Sequence, residues 1–138
     1  MHYDNLINIS LAQLEQAQNW QAKYRLITDW GKLISIKPAI REPQYLVKGC
    51  ETSAWLAHNY DGSYHRFAFD SESRVMNGLA ALLLSLIDKK TTSELVQINV
   101  KDILADAGLE KHMTPSRNNG FKTIVEQAFC LAGMEAPL

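Results

Sequence analysis

Cysteine and surplus positive charge are both scarce in this chain of 138 residues. Only two cysteines occur, Cys50 and Cys130, which are too few for a disulfide framework or for a zinc or iron–sulfur site built from cysteine alone. Lys and Arg number 14 against 15 Asp and Glu, so the formal net charge is −1. Since phosphate binding normally relies on a positive field, we do not expect a nucleic acid partner.

Long apolar runs are also missing. The most apolar stretch, residues 79–87, is interrupted by Ser85 and is far shorter than the roughly 20 apolar residues that cross a bilayer. No basic segment at the N-terminus leads into an apolar one, as it would in a secretory signal. We therefore expect no membrane association and a cytoplasmic protein with reduced thiols. The length and an apolar content of 46% are typical of one domain, which we assign to residues 1–138.

The first third of the sequence is predicted to be helical. Ser10 and Gln13 fit a capping box for a short helix, and Asn19 can cap a second helix. The predicted buried face of the second helix follows three-to-four spacing and consists of Trp20, Tyr24, Ile27, Trp30 and Ile34. Pro38 and Pro43 then predict an extended connection.

The last third is predicted to be helical as well. Thr91 and Thr114 are candidate N-caps, and the second is followed by Pro115 at the first helical position. A further helix over about residues 101–107 would end at Gly108. The last helix has an apolar stripe of Phe121, Ile124, Val125, Ala128 and Leu131 or Ala132, and would end at Gly133.

The middle of the chain has the alternation of β-strands. Residues 53–60 and 63–69 flank Asp61-Gly62, a signal for a two-residue type I′ hairpin turn, and a short third strand is predicted at residues 74–76. A helix rich in Ala and Leu follows. The predicted fold is therefore α+β, with a small antiparallel sheet of about three strands packed by helices from both ends of the chain.

Cys50 is the most suggestive residue for chemistry. It follows Gly49, which lets the backbone turn sharply and would present the thiol at a loop tip. Lys48 would favour a thiolate and Glu51 would oppose it, so local charge leaves the direction of the pKa shift open. The alternative is that Cys50 is a small buried apolar residue. That is also our interpretation of Cys130, which lies among apolar residues of the last helix.

Other polar residues give weaker signals. His58 and His65 lie on the two hairpin strands and could pair across them, which together with Cys50 would suggest a metal site or a Cys–His pair. Ordinary packing is the preferred interpretation, because such spacings arise often by chance. Arg117 lies at the start of the last helix, where the helix dipole disfavours a cation, and this suggests another partner for its charge.

Five short motifs lie in one order along the chain. They are Gly49-Cys50-Glu51 with Val47 before and Trp55-Leu56 after, Asp70-Ser71-Glu72, the run from Gly78 to Leu84, Thr92-Ser93-Glu94-Leu95, and Thr114-Pro115-Ser116-Arg117-Asn118-Asn119-Gly120. From about residue 20 onwards, the chain thereby resembles the SufE family of sulfur-acceptor proteins. The first two motifs look more like the CsdE subgroup and the last looks more like SufE proper. The family often has a glycine where Asp88-Lys89-Lys90 stands.

This resemblance implies a sulfur carrier. Such proteins take sulfane sulfur from the persulfide of a pyridoxal-phosphate cysteine desulfurase (SufS-like or CsdA-like), stimulate it, and deliver the sulfur for iron–sulfur cluster assembly, for example to a SufBCD scaffold. The resemblance implies that Cys50 is the acceptor and carries a transient persulfide, with Gly49, Glu51, Glu72 and Arg117 in supporting or partner-binding roles. It also implies no bound cofactor or metal, no independent activity, and a fold similar to that of IscU. It leaves a homodimer open.

Two other functions remain as alternatives. One is a thiol hydrolase that uses Cys50 with His58 or His65, and the other is an adaptor in which Cys50 only packs. For a carrier, an apolar niche formed by Trp55 or by the helix at residues 79–84 would shelter the sulfur from reductants and oxidants.

Overall fold

A computed structural model describes residues 2–106, 108–109 and 111–134. Over these residues an antiparallel two-stranded sheet lies between helices from both ends of the chain, which confirms the predicted α+β class. The elements are α1 (Leu11–Gln16), α2 (Trp20–Gly31), β1 (Ala54–Tyr60), β2 (His65–Ser71), α3 (Arg74–Ile87), α4 (Thr92–Val96), α5 (Val100–Asp106) and α6 (Pro115–Leu131). None of the described helices is long and apolar enough to cross a membrane.

The hairpin turn differs from the sequence prediction. Tyr60 pairs with His65, so four residues connect the strands and the predicted two-residue turn is wrong. The carboxylate of Asp61 accepts hydrogen bonds from the backbone N–H groups of Ser63 and Tyr64, both at 2.8 Å. The side chain of Asp61 thus satisfies the loop amides, which lets a longer loop replace the tight turn.

The third strand predicted at residues 74–76 is also wrong, because α3 begins there. The hydroxyl group of Ser73 accepts a hydrogen bond from the backbone N–H of Met76 at 3.2 Å and caps the helix. Residues 74–76 therefore belong to the first turn of α3, and the described sheet has two strands where about three were predicted.

Most predicted helix ends are confirmed. The N-caps Asn19, Thr91 and Thr114 each accept a hydrogen bond from the first turn of their helix. The capping box predicted from Ser10 does not form, since its side chain makes no cap hydrogen bond. Pro38 and Pro43 each begin a short 3-10 turn instead of an extended connection. Gly108 has a φ of +72°, and residue 107, the predicted end of the helix before it, lies outside the described residues.

The core lies between the inner face of the sheet and helices α2, α3 and α6. Phe67 and Phe69 on β2 and Leu56 on β1 share this face, as the alternation predicts. Helix α3 packs so closely on α2 that a Cβ atom at Gly78 would lie 1.9 Å from the carbonyl oxygen of Ile27. The absence of a side chain at Gly78 is what permits this packing. This close packing fixes the start of α3, which contributes Met76 to the functional region described below.

A buried ionic network holds the end of β2. The carboxylate of Asp70 is almost fully buried and accepts hydrogen bonds from the backbone N–H of Lys37 at 2.8 Å and from Nε of Arg41 at 2.7 Å. Burial alone would raise the pKa of Asp70, but these hydrogen bonds and charges bring it below its usual value. The ammonium group of Lys37 pairs with Asp4 and donates to the carbonyl oxygen of Phe69 at 2.8 Å. The network therefore joins the N-terminal segment and the 3-10 turns to β2.

Two histidines contact each other near the hairpin loop. Nε2 of His58 lies 2.8 Å from Nδ1 of His65, and Nε2 of His65 lies 2.8 Å from Oγ1 of Thr92. The two side chains thus contact each other, although in the strand register His58 pairs with Phe67 and His65 with Tyr60. Burial lowers the pKa of both histidines. No group of three metal-ligating side chains occurs among the described residues.

We predict that Asp70→Asn lowers the free energy of unfolding by about 2 kcal/mol, because it removes the buried carboxylate that accepts two hydrogen bonds from the partly exposed guanidinium group of Arg41. Denaturant unfolding followed by circular dichroism measures this loss. The control is Asp29→Asn, which removes an exposed ion pair with Lys32 and should change stability by less than about 1 kcal/mol. Equal effects of the two substitutions would contradict the assigned role of Asp70.

We also predict that the protein loses stability as the pH falls through about 6.5. Folding lowers the pKa of His58 and His65, so near that pH the unfolded chain binds protons that the native chain does not. The stabilisation from the neutral pair is complete above the unfolded pKa and decreases below it. Unfolding free energies measured from pH 8 to pH 5 should show a smaller decrease for His58→Phe than for the unchanged protein. An identical pH dependence would exclude this histidine as a source of the effect.

Candidate functional site

The loop that carries Cys50 is fixed at its base and turns at Gly49. The backbone N–H of Val47 donates to the carbonyl oxygen of Ala54 at 2.8 Å, which joins the start of the loop to the first residue of β1. Gly49 has a φ of +92°, a conformation that favours glycine, so the sharp turn expected before Cys50 is present. The turn directs the thiol towards helix α6.

Cys50 and Glu51 both make hydrogen bonds to α6. The Sγ atom of Cys50 donates to the carbonyl oxygen of Gly120 at 3.7 Å. The Oε2 atom of Glu51 accepts a hydrogen bond from the hydroxyl group of Ser116. The thiol is half-buried, so the loop presents it to the helix rather than fully to solvent.

The contacts of the loop follow one face of α6. A Cβ atom placed on Gly49 would lie 3.6 Å from Oγ1 of Thr123. Together with Ser116 and Gly120, Thr123 completes an i, i+4, i+7 series, whose members lie on the same side of a helix. We call these three residues the α6 stripe. The loop runs antiparallel to it, since residues 49, 50 and 51 approach residues 123, 120 and 116 in turn.

A cavity of about 330 Å³ adjoins Cys50. Its lining includes the hydroxyl-bearing residues Thr52, Ser73, Thr114 and Ser116, the apolar residue Met76, and the charged residues Glu51 and Arg117. The apolar niche expected from Trp55 or residues 79–84 is therefore wrong. The cavity is lined by the Cys50 loop and by the starts of α3 and α6, and most of its lining side chains are polar.

Burial raises the pKa of the Cys50 thiol. The local charges of Lys48 and Glu51 had left this direction open, and the half-buried position of the sulfur decides it. Because the thiolate is the reactive form of cysteine, this burial disfavours the reactive form of Cys50 in the free protein.

The other predicted site residues differ in how close they lie to Cys50. Gly49 and Glu51 flank it in the loop, and Arg117 lines the cavity with its guanidinium carbon 6.0 Å from the ring centre of Tyr24. The side chain of Glu72 is 60% exposed, is not among the cavity-lining residues, and lies 3.9 Å from Nη1 of Arg41.

Cys130 was interpreted as a packing residue, and this is wrong because its side chain is exposed. It lies on the outer side of α6, whose buried side carries Phe121, Ile124, Val125 and Ala128 of the predicted apolar stripe, whereas Leu131 is exposed. The sequence interpretation also missed Thr52, Ser73, Met76 and Thr123. For Thr123 a signal existed, since Ser116, Gly120 and Thr123 repeat at helical spacing.

Comparison with protein families matches residues 9–129 to the SufE domain, an Fe-S metabolism associated domain. The chain belongs to the SufE family. Its fold is also similar to the solution structure of a hypothetical protein from Thermus thermophilus, with a TM-score of 0.66 over 88% of this chain and 89% of that chain. The two sequences are 15% identical, so this likeness concerns the fold alone. SufE-family membership associates the chain with iron–sulfur metabolism.

We predict that alkylation of Cys50 in the free protein has a pH midpoint above about 8.5, the ordinary pKa of a cysteine thiol. The shift follows from the burial of the thiol, which disfavours its charged form. The rate of reaction with iodoacetamide should be measured by mass spectrometry in a Cys130→Ser background, since Cys130 is exposed. Denatured protein provides the reference midpoint. A native midpoint at or below the reference would contradict the role assigned to burial.

Proposed function

We propose that this SufE-family protein accepts sulfur on Cys50 from the persulfide of a cysteine desulfurase and carries it to iron–sulfur cluster assembly. The observation that carries the proposal is the placement of Cys50 at a glycine turn, half-buried and beside a polar cavity. A SufS-like or CsdA-like desulfurase is the proposed donor, and a scaffold such as SufBCD is the proposed recipient. The required reduced thiol is the state expected in the cytoplasm.

The transfer is a thiol–persulfide exchange. The thiol of Cys50 loses its proton, and the thiolate attacks the outer sulfur of the donor persulfide. A new S–S bond forms on Cys50 while the S–S bond of the donor breaks, and the donor cysteine leaves as a thiolate. No external oxidant or reductant is consumed. Removal of the sulfur frees the donor cysteine for another turnover, which accounts for stimulation of the desulfurase.

The cavity suits the product of this reaction. A persulfide extends one sulfur atom beyond Sγ, and the space beside Cys50 is large enough for that atom. The hydroxyl groups of Thr52, Ser73 and Thr114 and the guanidinium group of Arg117 can accommodate its negative charge. Gly120 adds no side chain at the point where Sγ approaches α6. We propose Arg117 as a supporting residue for the persulfide and Glu72, which is exposed, as a partner contact.

The arrangement supports a carrier better than a hydrolase. Such an enzyme would need a histidine beside the thiol to remove its proton. His58 and His65 contact each other and Thr92, and neither is among the residues that line the Cys50 cavity. With a raised pKa and no histidine among the cavity-lining residues, Cys50 depends on the docked partner to become reactive.

We predict that the protein gains one sulfur atom on Cys50 when it is mixed with a cysteine desulfurase, pyridoxal phosphate and cysteine. Intact mass spectrometry without reductant measures the gain, and peptide mapping assigns it. Cys50→Ser should abolish both the gain and the stimulation of the desulfurase, whereas the matched variant Cys130→Ser should retain both. Full stimulation by Cys50→Ser would favour the adaptor, and sulfur found elsewhere than on Cys50 would overturn the proposal.

A further inference from the structure

We propose that the hydrogen bond between Glu51 and Ser116 is a latch that sets how often Cys50 leaves the α6 stripe. This inference rests on the proposed function, since it concerns access to the sulfur-accepting thiol. Glu51 and Ser116 are then positioning residues, which act through the loop and do not contact the transferred sulfur during loading. The latch holds the loop closed between encounters with a donor and yields when the loop enters its active site.

The ends of the loop are firmly held, so movement is confined to about residues 48–52. At one end the backbone of Val47 is bonded to Ala54. At the other end the carbonyl oxygen of Ser53 accepts hydrogen bonds from the hydroxyl group of Ser71 at 2.9 Å and from the backbone N–H of Glu72 at 3.3 Å. Between these anchors, Gly49 supplies a flexible position next to the thiol.

The contacts between the loop and the α6 stripe differ in strength. The thiol of Cys50 makes a long hydrogen bond to Gly120, and a thiol is a weak donor. A Cβ atom placed on Gly49 would lie at van der Waals distance from Thr123, so the glycine itself approaches the helix without a polar contact to that residue among the bonds described. The bond from the hydroxyl group of Ser116 to the carboxylate of Glu51 has an ionised acceptor, and such bonds are roughly twice as strong as neutral ones. The Glu51–Ser116 bond is therefore the strongest of the loop–helix contacts described.

Transfer requires Sγ of Cys50 to contact the outer sulfur of the donor persulfide. Because the closed loop directs Cys50 towards α6, the loop has to move before this contact can form. The same closed position keeps a loaded persulfide beside the cavity and away from bulk reductant. A weaker latch should therefore affect both the free and the loaded form of Cys50. It should expose the free thiol more often, and it should let a loaded sulfur be lost more quickly.

The test measures alkylation of Cys50 by iodoacetamide in the free protein, in a Cys130→Ser background. We expect Ser116→Ala and Glu51→Ala each to accelerate the reaction roughly three- to tenfold, the range for loss of one solvent-exposed, charge-assisted hydrogen bond. The double variant should react no faster than either single variant, because the two side chains form one bond. Ser116→Thr keeps the hydroxyl group and should restore the slow rate. The denaturant midpoints should agree among all these variants.

A second measurement uses protein loaded with sulfur by a desulfurase and then separated from it. The persulfide should be lost to dithiothreitol faster from Ser116→Ala than from the unchanged protein or from Ser116→Thr. Equal alkylation rates for Ser116→Ala and the unchanged protein, or additive effects in the double variant, would overturn the latch. Failure of Cys50 to gain sulfur in the unchanged protein would instead overturn the proposed function, so the two failures are distinguishable.

Discussion

The contact between residues 49–51 and one face of α6 is the constraint on which the properties of the site depend. It places Cys50 against Gly120, half-buries the thiol and raises its pKa. Helix α6 can hold this loop because its apolar side is anchored in the core, and because Thr114 and Pro115 define its first turn. The packing of α6 in the core, together with its contacts to the loop, therefore sets the position of the Cys50 sulfur.

A half-buried, protonated thiol is well suited to a carrier and poorly suited to an independent catalyst. Burial disfavours the thiolate, which is the form of Cys50 that takes part in adventitious reactions. A carrier needs reactivity at the encounter with its donor and protection afterwards. A loop with fixed ends, a glycine turn and one strong polar contact to α6 meets both needs.

The sequence predicted those features that depend on neighbouring residues. The caps at Asn19, Thr91 and Thr114, the turn at Gly49 and the inner face of β2 follow from local patterns, and the structure confirms them. Lys89 has a φ of +63°, in the left-handed region that favours glycine.

Features that depend on distant contacts were not predictable in the same way. The side chain of Asp61 lengthens the hairpin loop, and Ser73 starts α3 where a strand was expected. The cavity beside Cys50 joins the starts of α3 and α6, and no spacing in one segment reveals that junction. The exposure of Cys130 likewise depends on which side of α6 faces the core. Local sequence thus singled out Cys50 as the candidate residue, whereas its surroundings required the fold.

The most direct test of direct sulfur transfer to Cys50 is a rapid-quench experiment with radiolabelled sulfur. A desulfurase is first loaded with labelled persulfide and freed of cysteine, and is then mixed with this protein for a single turnover. The account predicts that the label appears on Cys50 at the rate at which it leaves the desulfurase. Release of the label as free sulfide, with Cys50 unlabelled, would contradict it.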